Sequence, residues 1–376
     1  MKIDNRKTVI FVATRHFAIF SSRELIIRAL IDYGYKIIVF GEADKTTPKL
    51  HDLNVETMNV RFDKTGFNIF VDSLFFVKLM QLILLKRPIL IHFFHAKPII
   101  FGGLASVFLK SWNLRICATV TGLGRAFKQS LFKRFVAQIA YKLLLKNYDS
   151  VIFQNQDDQR LFLENKWTNN YSAHLVLGSG VDLIRFRSVN KTIRRKIVFV
   201  SRLIKQKGVG DFLMLAERLS SRFPEYEFVL GGEYDENDPD TYSITNIMDS
   251  EMAGFLKYES YVSNMIELLN QSVLFIFPSV YPEGVPRVCI EAIASGVPVV
   301  AYDIPGTREI VVNDISGIAV ESGNYKKLEN AVCRLLTNDK KRHSLAVSGR
   351  VFVEKEFDLK NVVKKYLSIY QLKKLI

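Results

Sequence analysis

The sequence predicts an α/β fold in two parallel-sheet domains, on three observations. Short β-rich runs alternate with helical patterns along the chain, as parallel strands joined by crossover helices require. The alternation comes as two series, separated by Gly178-Ser179-Gly180 and a polar, basic connector reaching residue 194. A length of 376 residues, 48% of them hydrophobic, supports more than one buried core.

In the first series the strands are Val9–Ala13, Lys36–Phe40, Ile89–Phe93, Ile116–Thr119 and Ser150–Gln154, runs rich in Val, Ile and Phe. Helical patterns fall near Ser22–Tyr33, Asn68–Lys86, Ile99–Lys110 and Leu131–Lys146. Ser21 or Ser22 is placed to cap the first of these. The second series starts with strand Lys196–Val200, helix Val209–Phe223 and strand Glu227–Gly231. It continues with helix Asn264–Gln271, strand Val273–Phe277, helix Pro286–Ser295, strand Pro298–Tyr302 and helix Lys326–Leu336. Pro286 suits a first helical position and Gly296 the residue just past a helix end. The spans expected are 1–185, 186–356 and a terminal helix within 357–376. No internal repeat or low-complexity tract is present.

The net charge of +14 is uneven. Residues 1–190 hold 27 Lys/Arg against 14 Asp/Glu, and the remainder 25 against 24. Between Asp72 and Asp149 there is no acidic residue but there are twelve basic ones. Phe, Leu and Ile are interleaved with them around Leu74–Lys86 and Phe127–Lys146, which fits an anionic membrane surface better than a nucleic acid, for which no binding module is recognisable. Neither 67–85, broken by Asp72 and Lys78, nor 88–109, carrying His92, His95 and Lys97, reads as a membrane span. Cys117, Cys289 and Cys333 are too far apart for a disulfide framework or zinc cluster. The polar start, Met1 to Lys7, is unlike a signal peptide. Together these lead to the expectation of a cytoplasmic protein attached peripherally to the inner face of the membrane.

The most telling stretch is Pro278-Ser279-Val280-Tyr281-Pro282-Glu283-Gly284-Val285-Pro286, followed by Glu291. A helix opening after a strand and a glycine-bearing loop offers backbone N–H groups and a positive dipole end to a phosphate. Glu283 and Glu291 flank that seat, and carboxylates accept hydrogen bonds from hydroxyls. The pairing points to a ligand carrying both groups, such as a nucleotide sugar. Arg202 and Lys207, just after strand Lys196–Val200, are two cations suited to a diphosphate that leaves with developing negative charge.

Glu283 and Glu291, with seven residues between them in Glu-Gly-Val-Pro-Arg-Val-Cys-Ile-Glu-Ala, resemble the signature of retaining glycosyltransferases of family 4, which have the GT-B fold. Val120-Thr121-Gly122-Leu123-Gly124, Phe153-Gln154-Asn155 with Asp158, Gly178-Ser179-Gly180-Val181-Asp182, and Ser201-Arg202-Leu203 with Lys207-Gly208 extend the resemblance over most of the chain. It is similar to bacterial enzymes that extend undecaprenyl-diphosphate-linked sugars. The resemblance implies two Rossmann-like domains facing a cleft, with ligand loops at the strand carboxyl ends. It implies a UDP-sugar donor, a polyprenyl-diphosphate-linked sugar acceptor, and neither cofactor nor metal.

By the same resemblance Glu283 faces the transferred sugar and is catalytic with Arg202 and Lys207, which bind the donor diphosphate. Glu291 holds the ribose hydroxyls, Gly284 and Val285 contact sugar or phosphate through backbone N–H groups, and Leu256 stands where the base binds. Thr121 and Gly122 fall where many relatives carry a histidine. His16 and Arg23, in the stretch after the first strand, are expected on the acceptor side with them. Asp238-Pro239-Asp240 mimics a metal-binding Asp-x-Asp but lies in a polar stretch away from a strand end. His92 and His95 lack Cys or acidic ligands beside them and read as structural or acceptor-site residues. Asp157 and Asp158 read as caps of the following helix. A soluble-acceptor transferase and a non-catalytic sugar-nucleotide-binding protein of the same fold are the rival readings.

Overall fold

In the computed structural model, residues 7–61, 68–109, 114–122, 131–187 and 194–373 are described. They divide into two compact units, Met1–Ser179 with Lys360–Ile376, and Gly180–Leu359. Gly178 and Gly180, at φ 58° and 73°, turn the chain at the first boundary. Beyond it, Val181 N–H donates to Phe357 C=O at 2.9 Å and Leu359 N–H to Val181 C=O at 3.1 Å, a single parallel bridge within the second unit.

The first unit is built on strands β1 (Thr8–Arg15), β2 (Lys36–Glu42), β3 (Glu56–Asn59), β4 (Leu90–Phe94), β5 (Arg115–Val120), β6 (Ser150–Phe153) and β7 (Ala173–Leu175). Their order in the sheet is β3-β2-β1-β4-β5-β6-β7, and every pairing is parallel. Helices cover both faces of such a sheet, which is why the central strands read as unbroken apolar runs. Thr8–Ala13 and Leu90–Phe94 are buried throughout.

The second unit contains β8 (Lys196–Val200), β9 (Glu227–Gly231), β10 (Lys257–Glu259), β11 (Ser272–Phe277), β12 (Val299–Asp303) and β13 (Gly317–Glu321). The order is β10-β9-β8-β11-β12-β13, again all parallel. In both sheets the winding reverses between a unit's first and fourth strand, β1 beside β4 and β8 beside β11. In such sheets ligands bind outside the strand carboxyl ends at this reversal.

The first helix differs from expectation. It spans His16–Asp32, six residues earlier than read from sequence, so Ser21 and Ser22 are internal and cap nothing. Ser22 Oγ instead donates to Ala18 C=O at 2.8 Å. The cap comes from a distant residue, Asp44, whose Oδ2 accepts from Phe17 N–H at 2.8 Å, and no local pattern could have revealed it. Asn155, not Asp157 or Asp158, caps helix Gln156–Glu164. Its side chain accepts from Asp158 N–H at 2.7 Å and donates to the Asp158 carboxylate at 2.8 Å, a reciprocal capping arrangement.

The terminal helix Leu359–Tyr370 packs into the first unit through a buried polar cluster. His92 pairs through Nδ1 with Tyr370 Oη at 2.6 Å and through Nε2 with Thr119 Oγ1 at 2.7 Å. Its ring stacks on Phe94, centroids 4.1 Å apart. Arg23 lies over the rings of Phe94 and Tyr366 at 5.2 and 5.3 Å. Burial, with the nearby Arg23 charge adding to it, holds His92 well below the usual imidazole value, and the same two causes bring His95 to about 4.

Both imidazoles are thus neutral in the fold, whereas the unfolded chain binds a proton on each below about pH 6.5. A depressed folded-state value means stability that is full above pH 6.5 and is lost as pH falls toward 4. The slope should reach about 1.4 kcal/mol per pH unit for each histidine. Denaturant unfolding between pH 7.5 and 4.5, followed by far-UV circular dichroism, checks it. A flat profile across that range would contradict the neutral, buried pair.

Candidate active site

The second unit's site forms where β8 and β11 end. Beyond Val200 the chain passes Arg202 and enters a 3₁₀ turn, Lys205–Lys207, closed by Gly208 at φ 82°. A Cβ on Gly208 would lie 2.0 Å from the carbonyl oxygen of Pro278, so only glycine lets the two loops meet this closely. Val280 N–H donates to Gln206 C=O at 2.9 Å, and Tyr281 N–H to Ser279 Oγ at 3.1 Å. The two strand exits are therefore stitched into one corner.

Lys207 sits inside that corner, 4% exposed. Its Nζ lies 5.3 Å from the ring centroids of both Phe277 and Tyr281, and it is ion-paired with the Glu283 carboxylate. Arg202 approaches the same Tyr281 ring at 5.7 Å. Burial first, then the Arg202 charge, presses the Lys207 ammonium down toward about 7. Glu283 in contact with it acts in the opposite sense and favours the proton. Arg202, Lys207 and Glu283 are thus brought together, along with Phe277 and Tyr281, which sequence reasoning passed over because an aromatic next to cations has no spacing signature.

Helix Arg287–Ala294 follows, with Pro286 as its N-cap rather than its first residue. Gly296 beyond its end adopts φ 70°, as a terminating glycine does. Glu291 is 7% exposed and accepts from Arg287 Nε at 2.7 Å. Burial raises its carboxyl, with Arg287 and then Arg185 opposing. Gly284 and Val285 are buried behind Glu283. Gly306, at φ 89°, backs this loop: a Cβ there would lie 2.1 Å from Gly284 O and 2.6 Å from Glu283 O. Its Pro305-Gly306 dipeptide was the readable signal for a turn. Leu256 is buried just ahead of β10. Asp238 and Asp240 share a polar turn, Asp240 N–H donating to Asp238 Oδ1 at 3.0 Å.

His16 and Arg23, expected on the acceptor side, both lie on the first helix. They are 0% and 1% exposed, because the early helix start turns both inward. His16 Nδ1 pairs with Thr47 Oγ1 at 3.0 Å, and burial lowers its pKa. Arg23 donates to Ser22 C=O at 2.8 Å between the two aromatic rings. Thr121 and Gly122 are half-buried just past β5, Gly122 at φ 104°. Leu123 and Gly124 lie outside the described residues.

Residues 181–352 match the family model described as glycosyl transferases group 1. Among curated proteins the chain is similar to N,N'-diacetylbacillosaminyl-diphospho-undecaprenol alpha-1,3-N-acetylgalactosaminyltransferase of Campylobacter jejuni. Identity is 28% over 96% of this chain and 97% of that one. Among solved structures it is similar to a glycosyltransferase from Rickettsia africae, TM-score 0.79 at 19% identity, covering 98% of each chain. Anabaena HepE in complex with UDP and glucose gives TM-score 0.79 at 17% identity over 96% of this chain and 99% of that one. These structural likenesses establish the fold as GT-B, in agreement with the two Rossmann-like sheets.

Gly306→Ala should push the Glu283–Gly284 backbone out of place and adopt a costly positive φ. A loss of about 2 kcal/mol or more of stability in the second unit is expected. Thermal unfolding of the purified variant against the parent measures it, and an unchanged transition would show that the loop yields freely.

Proposed function

We propose that this chain, whose residues 181–352 are a group 1 glycosyl transferase domain, moves a hexose or N-acetylhexosamine from a UDP-sugar to a sugar carried on a polyprenyl diphosphate. The observation that carries the reading is the meeting of Arg202, Lys207 and Glu283 at the winding reversal of the second sheet. The HepE complex supports UDP as the nucleotide, and the name of the Campylobacter relative supports the lipid-linked acceptor. Assembly of a bacterial surface glycan or glycoprotein glycan is the setting that fits.

In this reading Arg202 and Lys207 hold the donor diphosphate and stabilise the charge that develops as it leaves. Glu283 accepts hydrogen bonds from the transferred sugar and Glu291 from the ribose, while Gly284 and Val285 present backbone N–H groups. Leu256 packs at the base end, and Thr121 and Gly122 contact the acceptor. The acceptor hydroxyl attacks the face the diphosphate leaves, its proton passing to the departing oxygen, so configuration is retained. The protein supplies positioning and charge. The proposal gives the diphosphate charge to two side-chain cations, so turnover should persist in EDTA.

Peripheral attachment to an anionic membrane belongs to the same reading. Helices Ile69–Lys86, Ala96–Leu109 and Leu131–Leu144 pack next to one another in the first unit. They expose Phe108, Phe135, Ile139 and Leu143, with Lys142 and Lys146 alongside. None of the described helices is long and apolar enough to cross a membrane.

Purified protein with a panel of UDP-sugars and a short-chain polyprenyl-diphosphate sugar should release UDP and give a product heavier by one sugar. Glu283→Ala should lower turnover roughly a hundredfold or more with the fold intact. Lys207→Ala should raise the donor KM more than the acceptor KM. Full activity in Glu283→Ala, or a purely acceptor-side defect in Lys207→Ala, would defeat the assignments. On vesicles, Phe135→Ser with Leu143→Ser should weaken binding to anionic lipid by about tenfold or more. Equal binding by parent and variant would remove the docking face.

A further inference from the structure

We propose that Tyr281 is a positioning residue for the donor diphosphate, its ring face holding the side chains of Arg202 and Lys207 together at the carboxyl ends of β8 and β11. The inference rests on the donor reading above and adds a residue to it. Two like charges in one corner repel; the Glu283 carboxylate offsets this at Lys207, and the ring face attracts both cations. An aromatic face attracts a cation within about 6 Å of its centroid. Tyr281 is within that reach of both, at 5.7 Å from the Arg202 guanidinium carbon and 5.3 Å from Lys207 Nζ.

The ring is itself held. Tyr281 N–H donates to Ser279 Oγ at 3.1 Å, and the preceding residue, Val280, donates to Gln206 C=O at 2.9 Å, one residue before Lys207. The backbone that carries the ring is thereby tied to the backbone that carries Lys207. Phe277 supplies a second face to Lys207, whereas the Tyr281 ring is within reach of both cations. Tyr281 is half-buried, so its ring has room to change without emptying a core.

The ring favours the charged form of Lys207, so its loss should lower the pH at which that ammonium gives up its proton. Diphosphate binding needs the proton. Lys207 faces the Arg202 charge, which lowers its pKa, and the Glu283 carboxylate and Cys289, which raise it, so affinity for UDP should fall as pH rises from about 7 upward in the parent and begin to fall at lower pH without the ring.

The test measures UDP binding by titration calorimetry from pH 6 to 9 in the full chain, for the parent, Arg202→Ala, Tyr281→Leu and Tyr281→Phe. Unfolding temperatures serve as the folding control. Tyr281→Leu should weaken UDP about tenfold at pH 7.5 and move the pH midpoint downward, whereas Tyr281→Phe, which keeps the ring, should stay within about twofold of the parent. Parent-like affinity and midpoint in Tyr281→Leu, with Arg202→Ala weakened, would overturn the role of Tyr281 and leave the donor site standing. Equal losses in the Phe and Leu variants would also overturn it, since the hydroxyl and not the ring would then matter. No UDP binding by the parent, or none lost in Arg202→Ala, would remove the donor reading and this proposal with it.

Discussion

Burying the ammonium of Lys207 is the costly act around which the second unit's site is arranged. An isolated charge taken out of water loses several kcal/mol of hydration, which is why burial alone drives such groups toward neutrality. Here the cost is met by a carboxylate, Glu283, and by two aromatic faces, Phe277 and Tyr281. These partners reach Lys207 only because Gly208 lets its loop lie against Pro278, and because Gly306 leaves space behind Glu283 and Gly284. The glycines are therefore conditions for the electrostatics rather than loop ornaments. A side chain at either would separate charges that are tolerable only in company.

How much of this was legible in the sequence follows from where each element gets its stability. Central strands such as Lys196–Val200 and Glu227–Gly231 were read to the residue, since both faces are buried and the apolar run says so. Edge strands were missed: β3 is Glu-Thr-Met-Asn, β7 and β10 have three residues each, and β13 is Gly-Ile-Ala-Val-Glu. Their pairing comes from a neighbour's backbone, which leaves little trace in composition. Helix Asp339–Glu356 was missed for a related reason. Its buried residues are just Leu345, Gly349 and Val353, a stripe too thin to show a period, and Gly349 fits because a Cβ there would press on Ile293 at 2.9 Å.

The site separates along the same line. Arg202, Lys207, Glu283 and Glu291 were readable because each follows a strand or opens a helix within a few residues of a recognisable motif. Tyr281 and Gly306 act through distances that only the folded chain sets. The start of the first helix was misplaced because its cap is supplied from Asp44, a residue 27 positions from Phe17. With the helix starting at His16, Arg23 falls on the face that meets Phe94 and Tyr366. Burial first, and the Arg23 charge with it, keeps His92 and His95 neutral, and a neutral His92 can take one hydroxyl as donor and another as acceptor, as Thr119 and Tyr370 require.

The basic half of the chain gains its meaning from what accompanies the charge. Positive charge alone would serve a soluble anion, a nucleic acid or a lipid headgroup equally well. Large apolar side chains left in water are a standing cost for a surface that meets only soluble partners, and contiguous patches of them mark interaction sites. Phe108, at 69% exposure, and Phe135 and Leu143, at 59% and 60%, stand on adjoining helices in the segment that lacks acidic residues. In the proposed reading an anionic bilayer would answer both features at once, apolar side chains entering below the headgroups while lysines remain among them. The proposed acceptor resides in such a bilayer, so docking would convert a search through solution into one along a surface. On that proposal the charge asymmetry and the exposed aromatics would share a single physical reason, which the soluble-acceptor reading does not supply.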